Sequence, residues 1–311
     1  MPFATDFNGD GCDDLLLVSQ STPRFHEWLA RGDGSFEQFS EFTETDWNAP
    51  ATGDFNGDGH DDILLRDFLV GSISSLLSYP DGQFYRAPIH YPLDLSWHVS
   101  GVGDFNGDRR DDLLLRNDNG TVTEWLGQPD GTFVSNHATA TSVLPAGWHV
   151  VGTGDFNGDS RSDVLLENDD RIVTEWLGQV DGSFFSNHAV ATSVLPAGWH
   201  VAATGDFNGD THDDILLVQN DGTVTEWLTR GDGSFDWNAA ATYSLPSGWH
   251  VTGTGNYNND AFDDVLLRHD NGTITNWLGQ QHGSFFSNHV ASTLPMFTSW
   301  EIQSNRFDGW I

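Results

Sequence analysis

The fold is decided by the stretch Asp54-Phe55-Asn56-Gly57-Asp58-Gly59-His60-Asp61-Asp62, because the chain repeats it at a nearly constant interval. Copies of the string D-F-N-G-D, and one degenerate copy N-Y-N-N-D, recur about every 50 residues; they begin at Asp6, Asp54, Asp104, Asp155, Asp206 and Asn256. A tryptophan precedes most copies, and an E-W-L or N-W-L string follows most of them. Self-similarity at a period of roughly 20–50 residues indicates a repeat architecture.

Each repeat has the pattern of four short β-strands. In the third repeat the predicted strands cover residues 97–105, 111–116, 121–126 and 132–138, and a Pro-containing link over 141–147 is the longest loop. Asn119-Gly120 and Asp130-Gly131 mark hairpin turns between them. We therefore predict an all-β fold, a six-bladed β-propeller of four-stranded antiparallel blades in one domain over residues 1–311.

The two ends of the sequence predict how the ring closes. The first repeat lacks the tryptophan-bearing strand that precedes the motif elsewhere, and Ser299-Trp300-Glu301-Ile302 has the sequence of that missing strand. We expect a closing strand over residues 299–305 that completes the first blade. The stretch Arg306-Phe307-Asp308-Gly309 resembles a decayed seventh motif, so a seven-bladed ring is the alternative.

The composition excludes several classes of partner. The chain has 12 Lys and Arg residues against 46 Asp and Glu residues, and its formal net charge is −34. Phosphates repel such a surface, so we expect no nucleic-acid partner; with no long apolar run, we also expect no membrane insertion. The single cysteine, Cys12, excludes an intrachain disulfide and a cysteine-based zinc cluster. The N-terminus shows no signal peptide, and we expect a module of a larger secreted or cell-surface protein.

The acidic loop itself has the pattern of a calcium site. In the second repeat, oxygen-bearing side chains occupy positions 1, 3, 5 and 9, counted from Asp54, and position 7 offers its backbone carbonyl. Calcium takes 6–8 oxygen ligands, and Gly57 lets the loop bend sharply. An EF-hand is excluded because its twelfth position needs Glu, whereas this loop has Leu65 there. A solvated Asx-rich turn is the alternative.

The loop, followed by an apolar strand in every repeat, resembles the FG-GAP or VCBS-type calcium-binding repeats of integrin α-subunit propellers and of a fungal propeller lectin. The resemblance implies five to six structural Ca²⁺ ions held at positions 1, 3, 5, 7 and 9 of each loop. These residues are Asp6, Asn8, Asp10, Cys12 and Asp14; Asp54, Asn56, Asp58, His60 and Asp62; Asp104, Asn106, Asp108, Arg110 and Asp112; Asp155, Asn157, Asp159, Arg161 and Asp163; Asp206, Asn208, Asp210, His212 and Asp214; and Asn256, Asn258, Asp260, Phe262 and Asp264. The sixth loop has Asn256 and Asn259 in place of Asp and Gly, so we expect weaker binding there.

Candidate ligand-binding residues come from the tryptophan that begins each repeat and the histidine that follows it. Beside hydrogen-bonding groups, such rings can stack on sugars; packing between blades is the alternative. The candidates are Trp97, His98, Trp148, His149, Trp199, His200, Trp249 and His250. The second repeat departs from the pattern, with Ser75-Leu76-Leu77 in place of E-W-L and an unusual segment over 86–96, which predicts one special pocket there.

These observations favour a calcium-stabilised secreted binding module. The first hypothesis is a multivalent lectin that binds carbohydrate or glycoconjugates, because nearly identical repeats would supply several weak sites. An integrin-like adhesion or scaffold propeller with an extracellular protein partner is the alternative. We predict no catalytic residues, since the histidines recur by repeat and neither G-x-S-x-G nor H-E-x-x-H occurs. A polysaccharide-degrading enzyme is the less favoured alternative.

Overall fold

A computed structural model of the chain describes residues 5–19, 22, 24–44, 47–67, 69–79, 83–87, 90–239, 241–296 and 298–302. These residues form six separate antiparallel sheets that make a six-bladed propeller, as the repeats predict. The decayed motif over 306–309 and the last part of the predicted closing strand, 303–305, lie outside the described residues.

The strands follow one another in chain order around the ring. The first blade contains β1 (Leu15–Ser19), β2 (Arg24–Ala30) and β3 (Phe36–Thr43), and the second contains β4 (Trp47–Gly53), β5 (Asp62–Asp67), β6 (Ile73–Ser78) and β7 (Phe84–Arg86). The third contains β8 (Trp97–Gly103), β9 (Asp112–Asn117), β10 (Thr121–Gly127), β11 (Phe133–Ser135) and β12 (Ser142–Val143). The fourth contains β13 (Trp148–Gly154), β14 (Asp163–Asn168), β15 (Ile172–Gly178), β16 (Phe184–Ser186) and β17 (Ser193–Val194).

The fifth blade contains β18 (Trp199–Gly205), β19 (Asp214–Gln219), β20 (Thr223–Thr229), β21 (Phe235–Trp237) and β22 (Tyr243–Ser244). The sixth contains β23 (Trp249–Gly255), β24 (Asp264–His269), β25 (Thr273–Gln280), β26 (Ser284–Ser287) and β27 (Leu294–Pro295), with a 3₁₀ turn at Gln281–Gly283 and the helix α1 at His289–Ser292. The last strand is β28 (Trp300–Ile302). Within the described ranges, no helix is long and apolar enough to cross a bilayer.

The four main strands of each blade are named A to D from the axis outward, since the A strands of neighbouring blades touch one another. The Pro-containing link was predicted to be a loop. In blades three to six it instead contains a two-residue strand, which pairs with strand C. In the third blade Thr121 and Val122 pair with Val143 and Ser142 in this way. Strand D is shorter than predicted and ends at Ser135, because the carbonyl of Asn136 accepts the N–H groups of Thr139 and Ala140 in a turn.

The C-terminal strand closes the ring as the sequence predicts. Strand β28 pairs antiparallel with β1, in the register Leu17 to Ile302, Val18 to Glu301 and Ser19 to Trp300. It therefore supplies strand A of the first blade, and the described residues build six blades. Because the first and last segments share one sheet, the ring has no open edge between its ends.

The core is divided among the blade junctions. Strand B carries a continuous apolar run because both of its faces are covered by neighbouring blades. In the third blade Leu113 and Leu115 pack toward the second blade, and Leu114 packs toward the fourth. The aromatic residue at position 2 of each loop, such as Phe55, is buried in the same clusters. These packed junctions fix the blade ends from which the loops project.

Candidate functional site

The acidic loop precedes strand B in every blade, and in blades two to six it connects strand A to strand B, so all six project from one face of the propeller. The first carboxylate of the loop organises its backbone. Asp54 accepts the N–H groups of Gly57 (2.8 Å), Asp58 (3.1 Å) and Gly59 (2.9 Å). Asn56 accepts the N–H of Asp58 at 2.8 Å. The alternate side chains therefore turn into the loop, as the calcium prediction requires.

Position 9 supplies a buried carboxylate whose Oδ2 atom is free in the second and third loops and accepts a hydrogen bond in the other four. Asp62 and Asp112, in the second and third loops, are fully buried, and Oδ1 of each accepts the backbone N–H of the last residue of strand C. The second oxygen, Oδ2, has no hydrogen-bond partner among the described residues. Burial raises the pKa of each group to about 9, and nearby carboxylates add to the shift, from the same loop for Asp62 and from Glu124 and the loop for Asp112. A divalent cation would satisfy the free oxygen and offset the repulsion, so these residues fit the predicted calcium ion.

The remaining loop side chains are arranged less uniformly. In the part of the chain that the structure describes, no group of three or more His, Cys, Asp or Glu side chains is placed to hold a metal ion. The position-5 carboxylates of Asp108 and Asp159 pair with Arg110 and Arg161 at position 7 of the same loops. A calcium ion would thus also rely on Asn and backbone carbonyl oxygens, and the side chain at position 7 would not be its ligand.

Two loop residues that depart from the repeat have clear structural roles. Asn259 takes the place of the bending glycine and keeps the left-handed conformation, with a φ of 54°. Its side-chain amide donates to the carbonyl of Asp10 at 3.0 Å, across the junction between the last and first blades. Cys12 is buried, and burial followed by the charge of Asp10 raises the pKa of its thiol to about 12. The thiol is therefore protonated and belongs to the core.

Position 8, which the sequence analysis did not single out, joins successive blades in a ring. Its backbone N–H donates to the carbonyl at position 1 of the preceding blade, and in five blades its carboxylate accepts the N–H of that same residue. The position-8 residues are Asp13, Asp61, Asp111, Ser162, Asp213 and Asp263. Burial raises the pKa of Asp111 to about 7, and burial together with Asp111 and Asp13 raises that of Asp61 well above its ordinary value.

A second set of contacts, the junction clamp, joins the outer parts of the blades. The clamp consists of the strand C glutamate, the asparagine after strand D, and a turn carbonyl of the next blade. In the third blade Asn136 Nδ2 donates to Glu124 Oε1 (2.9 Å) and to the carbonyl of Asp181 (2.9 Å). The equivalent sets are Glu175, Asn187 and Asp232, and Glu226, Asn238 and His282. Burial raises the pKa of each glutamate to about 8.

The second blade lacks this clamp and has a cavity near the same place. Ser75 and Ala87 stand where the third blade has Glu124 and Asn136, and Ser75 Oγ donates directly to the carbonyl of Gly131 at 2.5 Å. A cavity of about 370 Å³ opens at the junction of the second and third blades. Its lining residues are Asn56, Asp58, Leu77, Tyr79, Tyr85, Arg86, Ala87, Pro129 and Asp130. The sequence signal for it is the departure of the second repeat from E-W-L, but the two tyrosines were not predicted.

The predicted tryptophan–histidine candidates do not form single sites. The tryptophans are partly buried and pack against the junction cores; these are Trp97, Trp148, Trp199 and Trp249. Successive residues of a strand face opposite sides, so Trp97 and His98 belong to different junctions. His98 pairs with Asp118 at 2.8 Å, and the same pair recurs as His149 with Asp169 and His250 with Asp270. His200 has no acidic partner among the described residues, and partial burial lowers the pKa of its imidazole.

A closed ring of blades, each carrying an Asp-rich loop, places the chain among the β-propellers built from loop-bearing repeats. The sequence profile described as FG-GAP-like repeat matches residues 6–65, 104–166, 155–217 and 206–267, which together make up more than half of the chain. The chain therefore belongs to the FG-GAP-like repeat family. No curated protein sequence matches the chain.

Solved structures show the same fold at low sequence identity. The periplasmic gluconolactonase of Pseudomonas aeruginosa is 16% identical with a TM-score of 0.53, and the match covers 92% of this chain and 80% of that one. A candidate 6-phosphogluconolactonase of Bacteroides uniformis is 12% identical with a TM-score of 0.54, covering 88% and 81%. A similar protein of Bacteroides fragilis is 12% identical with a TM-score of 0.52, covering 90% and 79%. At these identities the comparison shows the fold alone.

Proposed function

We propose that this propeller is a calcium-stabilised extracellular module that binds carbohydrate. The observation that carries the proposal is the recurrence of exposed histidine–aspartate pairs at the blade junctions. His98 and His250 keep 44% and 67% of their side chains exposed while bonded to Asp118 and Asp270. A fixed donor beside a fixed acceptor suits a sugar hydroxyl, which both donates and accepts. Repeated sites of this kind would combine by avidity on a glycan-bearing surface.

Calcium supports this function by fixing the loops. The buried free oxygens of Asp62 and Asp112 and the folded loop backbone are the observations that favour it. An ion that binds the folded loop more tightly than the unfolded chain raises stability by mass action. The role is structural, because the same loop recurs in every blade and calcium has no redox chemistry.

A glycan array tests the carbohydrate proposal. The calcium-loaded chain is applied to the array beside a chelated sample, with circular dichroism recorded on both. Binding to a narrow class of glycans that is lost on chelation is the expected result. A blank array with folded, calcium-stabilised protein would overturn the proposal and move the search to extracellular protein partners.

A lactone hydrolase is the second candidate. The observation that favours it is the ring of position-8 carboxyl groups, because Asp111 and Asp213, with pKa values raised to about 7, could exchange protons near neutral pH. The similar structures named as gluconolactonases make glucono-δ-lactone the substrate to test. Hydrolysis above the spontaneous rate, reduced by Asp111→Asn, would favour this candidate; no acceleration by the wild-type protein would dismiss it.

A further inference from the structure

The cavity between the second and third blades results from the missing clamp. Where the clamp is present, a buried glutamate and an asparagine fill the outer junction and bond to the next blade. In the second blade these two side chains are replaced by Ser75 and Ala87, which are much smaller. Leu77 takes up part of the lost volume, because it lies against Gly131 where Glu124 lies against Gly182 at the next junction, and the rest remains as space between the two blades. The cavity of about 370 Å³ lies within the usual size range of small-molecule sites.

Two tyrosines unique to the second blade form one wall of this cavity. Tyr79 and Tyr85 are 40% and 54% exposed, and their rings meet edge to face with centroids 5.1 Å apart. Tyr79 is two residues from Leu77, Tyr85 is two residues from Ala87, and Leu77 pairs with Tyr85. All four side chains therefore lie on the same face of the blade. Their hydroxyl groups bond to none of the residues that the structure describes. Exposed aromatic rings beside such hydroxyls offer an apolar surface and hydrogen bonds together.

The polar groups of the cavity are hydrogen-bond acceptors. Asp58 and Asp130 bring carboxylates from the two blades, whereas the guanidinium of Arg86 pairs with Glu44 and lies over the ring of Trp47, on the other face of the strand. The hydroxyl and then the N–H of Thr132 lower the pKa of Asp130, so its carboxylate is an acceptor at neutral pH. An anion would meet these carboxylates and a net charge of −34. A polyhydroxylated neutral molecule can donate its hydroxyls to the carboxylates and stack on the tyrosine rings.

We propose that this cavity binds one uncharged hexopyranose unit, stacked against Tyr85 and hydrogen-bonded to Asp130 and the loop residue Asn56. The inference rests on the proposed carbohydrate-binding function. It adds to the repeated sites one site that differs from them and occurs only at the junction of the second and third blades. It predicts one tight site for a free monosaccharide, because the repeated His–Asp sites bind a single sugar only weakly and act through avidity. Asn56 and Asp58 line the cavity and are also predicted calcium ligands. Removing calcium with a chelator should therefore weaken sugar binding at this site.

Isothermal titration calorimetry of the full chain tests the site directly. The probes are the methyl glycosides of glucose, galactose, mannose and N-acetylglucosamine, each titrated at saturating calcium. We expect one of them to bind with a stoichiometry of one, and Tyr85→Ala to weaken its affinity about tenfold through the lost stacking. The matched control is Phe185→Ala, which removes a 61% exposed aromatic ring at the equivalent position of the fourth blade and leaves the affinity unchanged.

A second variant fills the cavity. Combining Ser75→Glu with Ala87→Asn installs the clamp found at three other junctions, and it should abolish glycoside binding without lowering the Tm. Unchanged binding in both this variant and Tyr85→Ala would overturn the site, as would the absence of glycoside binding to a wild-type protein that is positive on the glycan array. A blank array together with no calorimetric signal would instead contradict the carbohydrate function, and the site with it.

Discussion

Asp112 destabilises the folded protein in two ways that a bound calcium ion would remove. Its carboxylate is fully buried, and its Oδ2 atom lacks a hydrogen-bond partner in the described part of the chain. We expect Asp112→Asn to reduce the number of bound calcium ions by one and to lower the Tm at saturating calcium. In chelator the variant should be as stable as the wild type or more so, because the amide stays neutral, whereas the wild-type carboxyl, with a pKa of about 9, has to take up a proton on folding at neutral pH. Calcium titration followed by thermal denaturation in both conditions measures these effects.

Asp118→Asn is the matched control for that variant. Asp118 lies in the same blade, but its carboxylate is 68% exposed and pairs with His98 outside the loop. Its replacement should leave the calcium stoichiometry and the calcium-dependent part of the Tm unchanged. An Asp112→Asn protein that binds as many ions as the wild type would contradict the role assigned to position 9.

Candidate functional residues could be predicted where the repeats align with one another in sequence. The candidate calcium ligands come from spacing, because alternate side chains of a tight loop turn toward one centre, and calcium binding by them stays a prediction. Strand alternation places Trp97 and His98 at opposite junctions, and their role in ligand binding stays a prediction. Tyr79 and Tyr85 were missed. Their importance depends on the space left by Ser75 and Ala87 on neighbouring strands, and sequence distance does not report such space.

The junction clamp makes the strand C glutamates a source of pH dependence. Burial raises the pKa of Glu124, Glu175 and Glu226 from the ordinary value of 4.5 to about 8. Such a group keeps its proton on folding while the unfolded chain releases it. Its favourable contribution is therefore complete below about pH 4.5 and is lost as the pH rises to about 8. Each group should cost on the order of 1 kcal/mol of unfolding free energy per pH unit in this window.

Replacing all three glutamates by glutamine should flatten that part of the pH profile. Glutamine keeps an acceptor for the asparagine of the clamp and carries no titrating proton. Urea denaturation from pH 5 to pH 8, at fixed saturating calcium, compares the variant with the wild type. The sixth blade offers an internal reference, because it has the neutral Asn276 at this position. A wild-type free energy of unfolding that increases across the same range, relative to the variant, would contradict the prediction.

Strand existence was more predictable than strand ends. The apolar runs and the hairpin turns located strands A to C in the third repeat, whereas strand D stops early because Asn136 begins a hydrogen-bonded turn. The two-residue strand β12 was missed because a Pro-containing link carries no alternation long enough to predict a strand. β12 pairs with the part of strand C at Thr121 and Val122 that strand D leaves unpaired, and this unpaired edge exists only in the folded sheet.

The ring is closed by a strand pairing between residues far apart in the sequence and by further contacts across the same junction. The sequence predicted this closure because the first repeat lacks a strand that the C-terminus supplies, and β28 pairs with β1 accordingly. Two further contacts cross the same junction, from Asn259 to the carbonyl of Asp10 and from Arg268 to the carbonyl of Trp300. The ring of position-8 contacts also passes through it, from Asn256 to Asp13. Closure is thus shared by the strand pairing, the contacts between the acidic loops and the hydrogen bond from Arg268.

Ile302 tests how much stability this closure provides. Its side chain is 5% exposed and packs in the cluster that joins the sixth blade to the first. Ile302→Ala should lower the free energy of unfolding by about 3 kcal/mol, the usual cost of a large-to-small change in a core. Val290→Ala, at a fully exposed position of the same terminal region, is the control and should change it little. Urea denaturation of the two variants at saturating calcium gives the comparison. Equal stability of Ile302→Ala and the wild type would mean that the strand pairs with β1 without holding the ring closed.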